Sequence, residues 1–382
     1  MTAFRVRCCL GAVALSAAAL ADFGDPLPGL SAGDAQRFED GKAEFSAVEE
    51  VDEGLGPVFN EASCVACHLG PGTAVGGTSQ RLETRFGRTG LDGVFDPLAG
   101  QGGSLLQDHA IADFVPEVVP PEATVIASRR TTPLFGLGLV DATPDNTFLA
   151  IALIQAIFNP SIAGRPSIVT DPITQRPALG KFGWKAQVPS LFVFSGDAYL
   201  NEMGITNPIF PDESCPQGDC TLLAGNPVPG LNDDGTGVER FNDFMTFLAP
   251  PPRGPQNFFT EYGNIVASVI GCLDCHVQTL QTGPNAVAAL DQVAYHPFSD
   301  FLLHDMGSLG DGITQNGATG QQMRTQPLWG LRTQARMLHD GRATTLRQAI
   351  LAHDGQGAAS REAFQSLDFF DRIALLAFLR SL

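Results

Sequence analysis

Short amphipathic segments, separated by Gly- and Pro-rich stretches, form the main pattern along the chain. Phe38 and Phe45 lie at helical spacing after a capping pattern that starts at Ser31, which predicts a first helix. A second helix is predicted over residues 257–270, where it runs directly into a cysteine pair. Few stretches alternate as strands do, and long loops are more tolerable where they surround a cofactor. The pattern therefore predicts a mainly α fold with long ordered loops.

Two halves of the chain resemble each other. Residues 130–137 (Arg-Thr-Thr-Pro-Leu-Phe-Gly-Leu) closely match residues 324–331 (Arg-Thr-Gln-Pro-Leu-Trp-Gly-Leu). Further along each half an apolar helix is predicted, over 241–248 and over 370–379. This repetition indicates two related structural units.

The boundary between the units is predicted near residue 250. Residues 249–255 (Ala-Pro-Pro-Pro-Arg-Gly-Pro) stop a helix and are typical of a linker. We therefore predict an N-terminal domain over residues 22–250 and a C-terminal domain over residues 251–382.

The first 21 residues have the pattern of a secretory signal peptide. Arg5 and Arg7 precede an apolar run over 8–20, and a small-x-small cleavage pattern ends at Ala21. Thirteen apolar residues are too few for an ordinary membrane span, and no later stretch reaches the roughly 18 that one needs. We expect a mature chain that starts near Asp22, has no membrane span and lies in the periplasm. An N-terminal anchor that is never cleaved is the alternative.

The chain is strongly acidic, with 41 Asp and Glu against 23 Lys and Arg and a net charge of -18. Nucleic acid and anionic lipid are polyanions, so the charge disfavours both as partners. It favours long-range attraction of a basic redox partner, although simple solubility explains it as well.

Two segments carry the pattern C-x-x-C-H, the attachment signal of c-type haem. They consist of Cys64, Cys67 and His68 in the first half and Cys272, Cys275 and His276 in the second. Two thiols at this spacing can form thioethers to the vinyl groups of one haem, and the adjacent imidazole then lies beneath the iron. Zinc is the alternative, but zinc ribbons bring their pairs within roughly 15–20 residues, whereas these lie 208 residues apart. The sequence therefore predicts two covalently attached haems with His68 and His276 as axial ligands.

Cys215 and Cys220 lie outside these segments and flank a short loop with Pro and Gly. In an oxidising compartment such a pair is expected to form a structural disulfide. A redox-active pair is the alternative, although neither the spacing nor the surroundings favour it.

Several longer motifs carry a family resemblance. They are Gly56-Pro-Val-Phe-Asn60, Gly138-Leu-Val-Asp-Ala-Thr-Pro144, Gly180-Lys-Phe-Gly-Trp-Lys-Ala186, Glu202-Met-Gly-Ile-Thr-Asn-Pro208, Ser299-Asp-Phe-Leu-Leu-His-Asp-Met-Gly307 and Leu338-His-Asp-Gly-Arg-Ala343. Together they resemble the bacterial di-haem oxidoreductases, within the superfamily of the di-haem cytochrome c peroxidases and the methylamine dehydrogenase maturase. The resemblance covers nearly the whole mature chain and implies two cytochrome c-like domains whose haems face each other.

The resemblance implies a division of labour between the haems. In di-haem peroxidases the N-terminal haem reacts with hydrogen peroxide, and the C-terminal haem receives electrons from a small cytochrome c or a cupredoxin. By resemblance, Glu202 moves a proton between the peroxide oxygens and Trp184 is a polarisable bridge between the haems. The alternatives are a Glu202 that caps a helix and a Trp184 that only packs. The family also implies a structural calcium at the domain interface, although no acidic loop requires one.

The sixth ligand of each iron separates electron transfer from chemistry. His353 stands where di-haem peroxidases carry a distal Met and the maturase a Tyr, which implies His276/His353 coordination of the C-terminal haem. An exposed His353 at a helix end is the alternative. His304 and His339 fit their motifs as supporting residues near this haem. The N-terminal haem has no evident distal ligand, and His109 is the remaining candidate.

Two other functions fit the same haem content. An electron carrier would have a firm sixth ligand on both irons. A maturase-like oxidase of a partner protein would need a stable high-valent state, and the absence of Tyr at position 353 argues against a close copy. We therefore predict a di-haem oxidoreductase that reduces hydrogen peroxide as cytochrome c peroxidases do.

Overall fold

The computed structural model describes residues 22–382, so the predicted signal peptide lies outside the described residues. The helices are α1 (Ala32–Phe45), α2 (Cys64–Cys67), α3 (Leu137–Asp141), α4 (Asp145–Phe158), α5 (Leu191–Met203), α6 (Thr236–Phe247), α7 (Phe258–Val269), α8 (Cys272–Cys275), α9 (Leu346–Leu351), α10 (Ala358–Ser366) and α11 (Phe369–Leu379). The strands are β1 (Val58–Phe59), β2 (Leu82–Thr89), β3 (Phe95–Asp96), β4 (His109–Ala110), β5 (Val125–Arg130), β6 (Ser167–Thr170), β7 (Pro177–Gly180), β8 (Leu280–Gln281), β9 (Ala294–Tyr295), β10 (Leu303–Asp305) and β11 (Gln322–Arg324).

The strands form small antiparallel sheets with the orders β1-β4, β3-β2-β5, β6-β7, β8-β9 and β10-β11. The longest pairing runs along β2 and β5, where Leu82 lies opposite Arg130. The described residues are 36% helical and 14% strand, so the fold is a helix-rich mixture and not clearly the mainly α fold that was predicted. Within residues 22–382 no helix is long and apolar enough to cross a membrane.

Two helix pairs of the same design lie in the two halves. α1 packs against α6, and α7 packs against α11. Each pair approaches closely at a glycine, because a Cβ at Gly41 would overlap the carbonyl oxygen of Arg240 and a Cβ at Gly263 would overlap that of Ala374. A side chain at either glycine would push its helix pair apart.

Equivalent hydrogen bonds around the Arg-Thr-x-Pro motif recur in both halves. They are Thr78 Oγ1 to Thr131 O and Gly136 N to Leu248 O in the first half, and Ser299 Oγ to Thr325 O and Gly330 N to Leu382 O in the second. Because both halves hold the motif in the same way, the structure supports the internal repeat that the sequence indicated.

The main apolar core is not divided at residue 250. It combines residues of α1, α5 and α6 with Tyr295, Phe301 and Trp329 from the second half. A smaller core among α7, α10 and α11 is built from second-half residues alone. Residues 249–257 contain no helix or strand, as expected of a linker. The two-domain division stays a prediction, in which the domains would share an extensive apolar interface.

A buried ionic network joins the halves. Arg129 Nη2 and Lys185 Nζ lie 2.7 and 2.8 Å from the two carboxylate oxygens of Asp311. Lys185 also donates to the carbonyl oxygens of Thr319 and Gln322, at 3.0 and 2.7 Å. Because these charges are almost completely buried, each depends on its partner to offset the cost of desolvation. The network therefore fixes the loop over residues 311–322 against the first half.

Candidate haem sites and family

The second C-x-x-C-H segment follows directly from α7. Gly271 has a φ of 81°, which turns the chain from α7 into α8. His276 comes next, and its Nδ1 lies 2.9 Å from the carbonyl oxygen of Phe298. Burial lowers the pKa of His276 to about 4, so its ring is neutral at pH 7. With Nδ1 occupied by a carbonyl, the lone pair of Nε2 remains for a metal.

His353 has the same arrangement and lines the same cavity. It lies just beyond α9 and is half-buried. Its Nδ1 lies 2.8 Å from the carbonyl oxygen of Ala349, and burial lowers its pKa as well. The structure therefore brings both histidines to one cavity with each Nε2 available. The alternative of an exposed His353 does not hold.

Met306 is a further ligand candidate that sequence reasoning missed. It lines the same cavity, and both its Cε and the His353 ring border Gly357. A thioether is a common haem ligand in cytochromes c, so Met306 competes with His353 for the sixth position. The signal was present in the Asp305-Met306-Gly307 motif, where the methionine follows the motif histidine by two residues.

Replacing His353 by Met should raise the midpoint potential of the C-terminal haem, on the order of 100 mV within the ~0.8 V range that axial ligands span. A thioether stabilises ferrous iron relative to an imidazole. Potentiometric titration of the C-terminal haem measures the shift. The exposed His296→Ala serves as control and should leave the potential unchanged. An unchanged potential in His353→Met would show that another residue, with Met306 the first candidate, is the ligand.

The cavity that His276 and His353 both line suits a flat apolar macrocycle. Both cysteines of the segment line it together with apolar side chains such as Leu273, Ile350 and Phe378. Apolar walls, two thiols and neutral imidazoles fit the attachment and ligation of a c-type haem.

The first C-x-x-C-H segment forms α2, and His68 follows it. Nδ1 of His68 is buried without a hydrogen-bond partner, and burial lowers the pKa of the ring to about 4. Phe45 in α1 packs edge-on against the imidazole, with 5.8 Å between ring centres. His109, the remaining ligand candidate, is exposed on β4 with its Nδ1 2.9 Å from Asp108. A neutral imidazole beside two thiols also fits a c-type haem here.

Glu202 lies in the last turn of α5, beside this first site. Its carboxyl accepts a hydrogen bond from Asn60 Nδ2 at 2.7 Å. The neighbouring Met203 places its Sδ 4.0 Å from Cys64 Sγ. Because the carboxyl bonds to another segment and lies at the C-terminal end of its helix, it does not act as a helix cap.

Three ionisable residues that sequence reasoning missed lie beside Glu202: Glu83, Arg85 and Asp197. Burial, and then the negative charge of Glu83, raises the pKa of Glu202 to about 7. Although burial opposes it, Arg85 lowers the pKa of Glu83, and its Nε lies 2.9 Å from Glu83 Oε1. A carboxyl that titrates near neutral pH can both accept and return a proton.

Trp184 lies where the two halves meet. It is buried, lines the cavity of His276, and donates from Nε1 to the carbonyl oxygen of Arg130 at 2.9 Å. The side chain of Thr131, the next residue, lies near the Cys67 thiol. A short path through Arg130 and Thr131 therefore leads from Trp184 to the first site. Burial fits a packing role as well, but packing alone does not require this position between the sites.

His304 and His339 lie against the C-terminal site. His304 Nε2 lies 2.9 Å from Asp300 Oδ2, and its Nδ1 lies 3.7 Å from Cys275 Sγ. These three side chains are close enough to hold a metal ion, but Cys275 belongs to the haem segment. His339 is buried and packs edge-on with Trp184 at 6.1 Å. Both histidines therefore contact other side chains, which fits a supporting role beside this haem site.

A family model described as "Di-haem oxidoreductase, putative peroxidase" matches residues 121–382. The chain belongs to this family. As a di-haem oxidoreductase it has two haem cofactors. The matched residues include the second C-x-x-C-H segment, Trp184, Glu202 and His353, whereas the first C-x-x-C-H segment precedes them.

Solved structures resemble this di-haem oxidoreductase only distantly. The di-haem peroxidase BthA from Burkholderia thailandensis is 14% identical with a TM-score of 0.40, over 94% of this chain and 87% of that chain. Hydrazine synthase from Kuenenia stuttgartiensis is 14% identical with a TM-score of 0.40, over 100% of both chains. No curated protein matches the sequence.

Proposed function

We propose that this di-haem oxidoreductase reduces hydrogen peroxide to water at the N-terminal site, with electrons that enter at the C-terminal site. The observation that carries the proposal is a difference between the sites. The C-terminal cavity has two histidines with free Nε2 atoms, whereas the N-terminal site has one histidine and the carboxyl of Glu202. A doubly ligated iron passes electrons, and an open iron beside a proton-accepting group can perform chemistry.

Bound haem would supply the iron that holds peroxide and the electrons that reduce it. Glu202 in its ionised form takes a proton from one oxygen of hydrogen peroxide and returns it to the other, which leaves as water. Asn60 orients the carboxyl, and Glu83 keeps its proton affinity high enough for the return step. The whole reaction consumes two electrons and two protons and yields two water molecules.

The proposal includes covalent attachment through Cys64, Cys67, Cys272 and Cys275, in two cytochrome c-like domains over residues 22–250 and 251–382. The repeated helix pairs and the repeated Arg-Thr-x-Pro contacts support two related domains. We also propose a periplasmic location. The predicted disulfide between Cys215 and Cys220 is confirmed, and such a bond persists in oxidising compartments.

The proposed electron donor is a small cytochrome c or a cupredoxin with a basic surface. The net charge of -18 supports such a donor, because opposite charges accelerate association at low ionic strength. The calcium that the resemblance implies has no support of this kind. Among the described residues, the oxygens of Asp311, Thr319 and Gln322 at the interface of the halves already bind the ammonium of Lys185.

The proposal predicts that half-reduced, haem-loaded protein consumes one equivalent of hydrogen peroxide rapidly. Absorption and EPR spectra taken after mixing should show reaction at a high-spin site, and an added donor should restore the resting spectrum. If both irons are low-spin and do not react, the protein is an electron-transfer cytochrome. A long-lived oxidised state that no donor cytochrome quenches would favour oxidation of a partner protein.

A further inference from the structure

Two arginines line the C-terminal cavity without a carboxylate partner among residues 22–382. Arg130 and Arg324 are the first residues of the two repeated motifs, and both lie in the wall that also contains Trp184. Arg324 is only 5% exposed. By contrast, Arg81 and Arg85 near the first site pair with Glu61 and Glu83.

Every hydrogen bond that these two side chains make goes to a neutral oxygen. Arg324 donates from Nε to Gly183 O at 2.7 Å and from Nη1 to Thr325 O at 3.3 Å. Arg130 donates from Nη1 to the side-chain oxygen of Gln334 at 2.6 Å and from Nε to Leu338 O at 3.3 Å. Each guanidinium therefore keeps donors free beside the cavity.

Burial without a counter-ion is costly for these groups. It lowers the pKa of Arg324 to about 9 and that of Arg130 to about 10. The carboxylate that acts electrostatically on Arg324 is that of Asp300, which already binds His304 and Gln155. A buried charge that protein groups do not compensate indicates an anion supplied by a ligand.

We propose that Arg130 and Arg324 bind the propionate carboxylates of the C-terminal haem. The haem is an apolar ligand with two carboxylates, and the cavity offers apolar walls with two guanidinium groups at one side. Guanidinium matches a carboxylate in a bidentate geometry that lysine does not reproduce. The paired arginines of the internal repeat thus both serve one haem.

The same two residues also hold Trp184. Arg130 O accepts the bond from Trp184 Nε1, and Arg324 N donates to Trp184 O at 2.9 Å. Propionate binding would therefore tie the C-terminal haem to Trp184 through the two arginines. Removal of either guanidinium should therefore act directly on the ionisation of the haem carboxylates, and only indirectly on the position of the indole.

The test measures how the midpoint potential of the C-terminal haem depends on pH. The variants are Arg324→Gln, Arg130→Gln and Arg324→Lys. In the parent protein the two guanidiniums keep both carboxylates ionised, so the potential should be nearly flat from about pH 6 to 8. In the Gln variants a propionate should titrate in this range. At a fixed applied potential, the ratio of ferrous to ferric haem should then fall up to tenfold for each unit by which the pH rises. This corresponds to a midpoint potential that falls by up to 59 mV per pH unit for one electron.

Arg347 provides the control, because it is exposed on α9 of the same cavity wall. Arg347→Gln should keep the flat profile, and Arg324→Lys should keep most of it because the charge remains. Flat profiles in both Gln variants would overturn the proposal. Failure of Arg324→Gln to retain the haem, when Arg324→Lys retains it, would support it. The test reads potentials and not turnover, so it is independent of the peroxidase proposal.

Discussion

Replacing Glu202 by Gln should lower the rate of hydrogen peroxide reduction by about 10²- to 10⁴-fold, the usual contribution of a positioned acid–base group. Gln keeps the size of the side chain and can still bond to Asn60, but it cannot accept the peroxide proton. Stopped-flow mixing of half-reduced protein with hydrogen peroxide measures the step directly. Haem content and the potential of the C-terminal haem should remain unchanged.

The pH dependence of the same rate gives a second measurement. Because the pKa of Glu202 is raised to about 7 and the ionised form accepts the proton, the rate should fall as the pH drops through about 7. Glu213→Gln is a matched control, since the pKa of Glu213 is also raised to about 7 and its carboxyl also bonds to an asparagine, Asn226. A rate in Glu202→Gln within a few-fold of that in Glu213→Gln would exclude Glu202 as the proton carrier.

Helices were the part of the fold that the sequence predicted best, because their signals are local. The cap at Ser31 is present, with Ser31 Oγ accepting a hydrogen bond from Asp34 N at 3.1 Å. The helix expected over residues 257–270 is Phe258–Val269, and Asn257 caps it. Both signals depend on residues within one or two turns of each other, so no tertiary knowledge was needed.

The main sheet was missed because its burial pattern is the reverse of the usual one. In β5, Arg129 is 1% exposed, whereas Ile126, three residues earlier in the same strand, is 62% exposed. A buried arginine is stable here only because Asp311, 182 residues later, accepts its hydrogen bond. No alternation of apolar and polar residues could indicate this strand, since its inward charge is explained only by the tertiary partner.

The register of the repeated helices also needed the structure. The sequence aligned the apolar runs that end at Leu248 and Leu379. In the structure, Leu248 O and Leu382 O accept the equivalent bonds from Gly136 and Gly330, so the repeat is shifted by three residues. Apolar runs tolerate such a shift, whereas a backbone hydrogen bond does not.

The two C-x-x-C-H segments could be recognised in the sequence because each lies within one pentapeptide, but the groups around them come from distant segments. Glu83 and Glu202 are far apart in sequence and meet only because β2 lies beside the end of α5. Arg130 and Arg324 were noticed as part of the repeat, not as site residues. An arginine that begins both copies of an otherwise uncharged repeated motif was the signal that could have indicated them.

Replacing both cysteines of one segment by Ala should remove one of the two haems. This should separate peroxide reduction at the N-terminal site from electron entry at the C-terminal site. Cys64→Ala with Cys67→Ala should keep the C-terminal haem, still accept electrons from a donor, and lose peroxide reduction completely. Cys272→Ala with Cys275→Ala should keep the N-terminal haem but lose donor-driven turnover, because electrons then have no entry site. Pyridine haemochrome content and turnover with a reduced cytochrome c measure both effects. If the protein without the N-terminal haem still reduces peroxide, the assignment of the two sites is reversed.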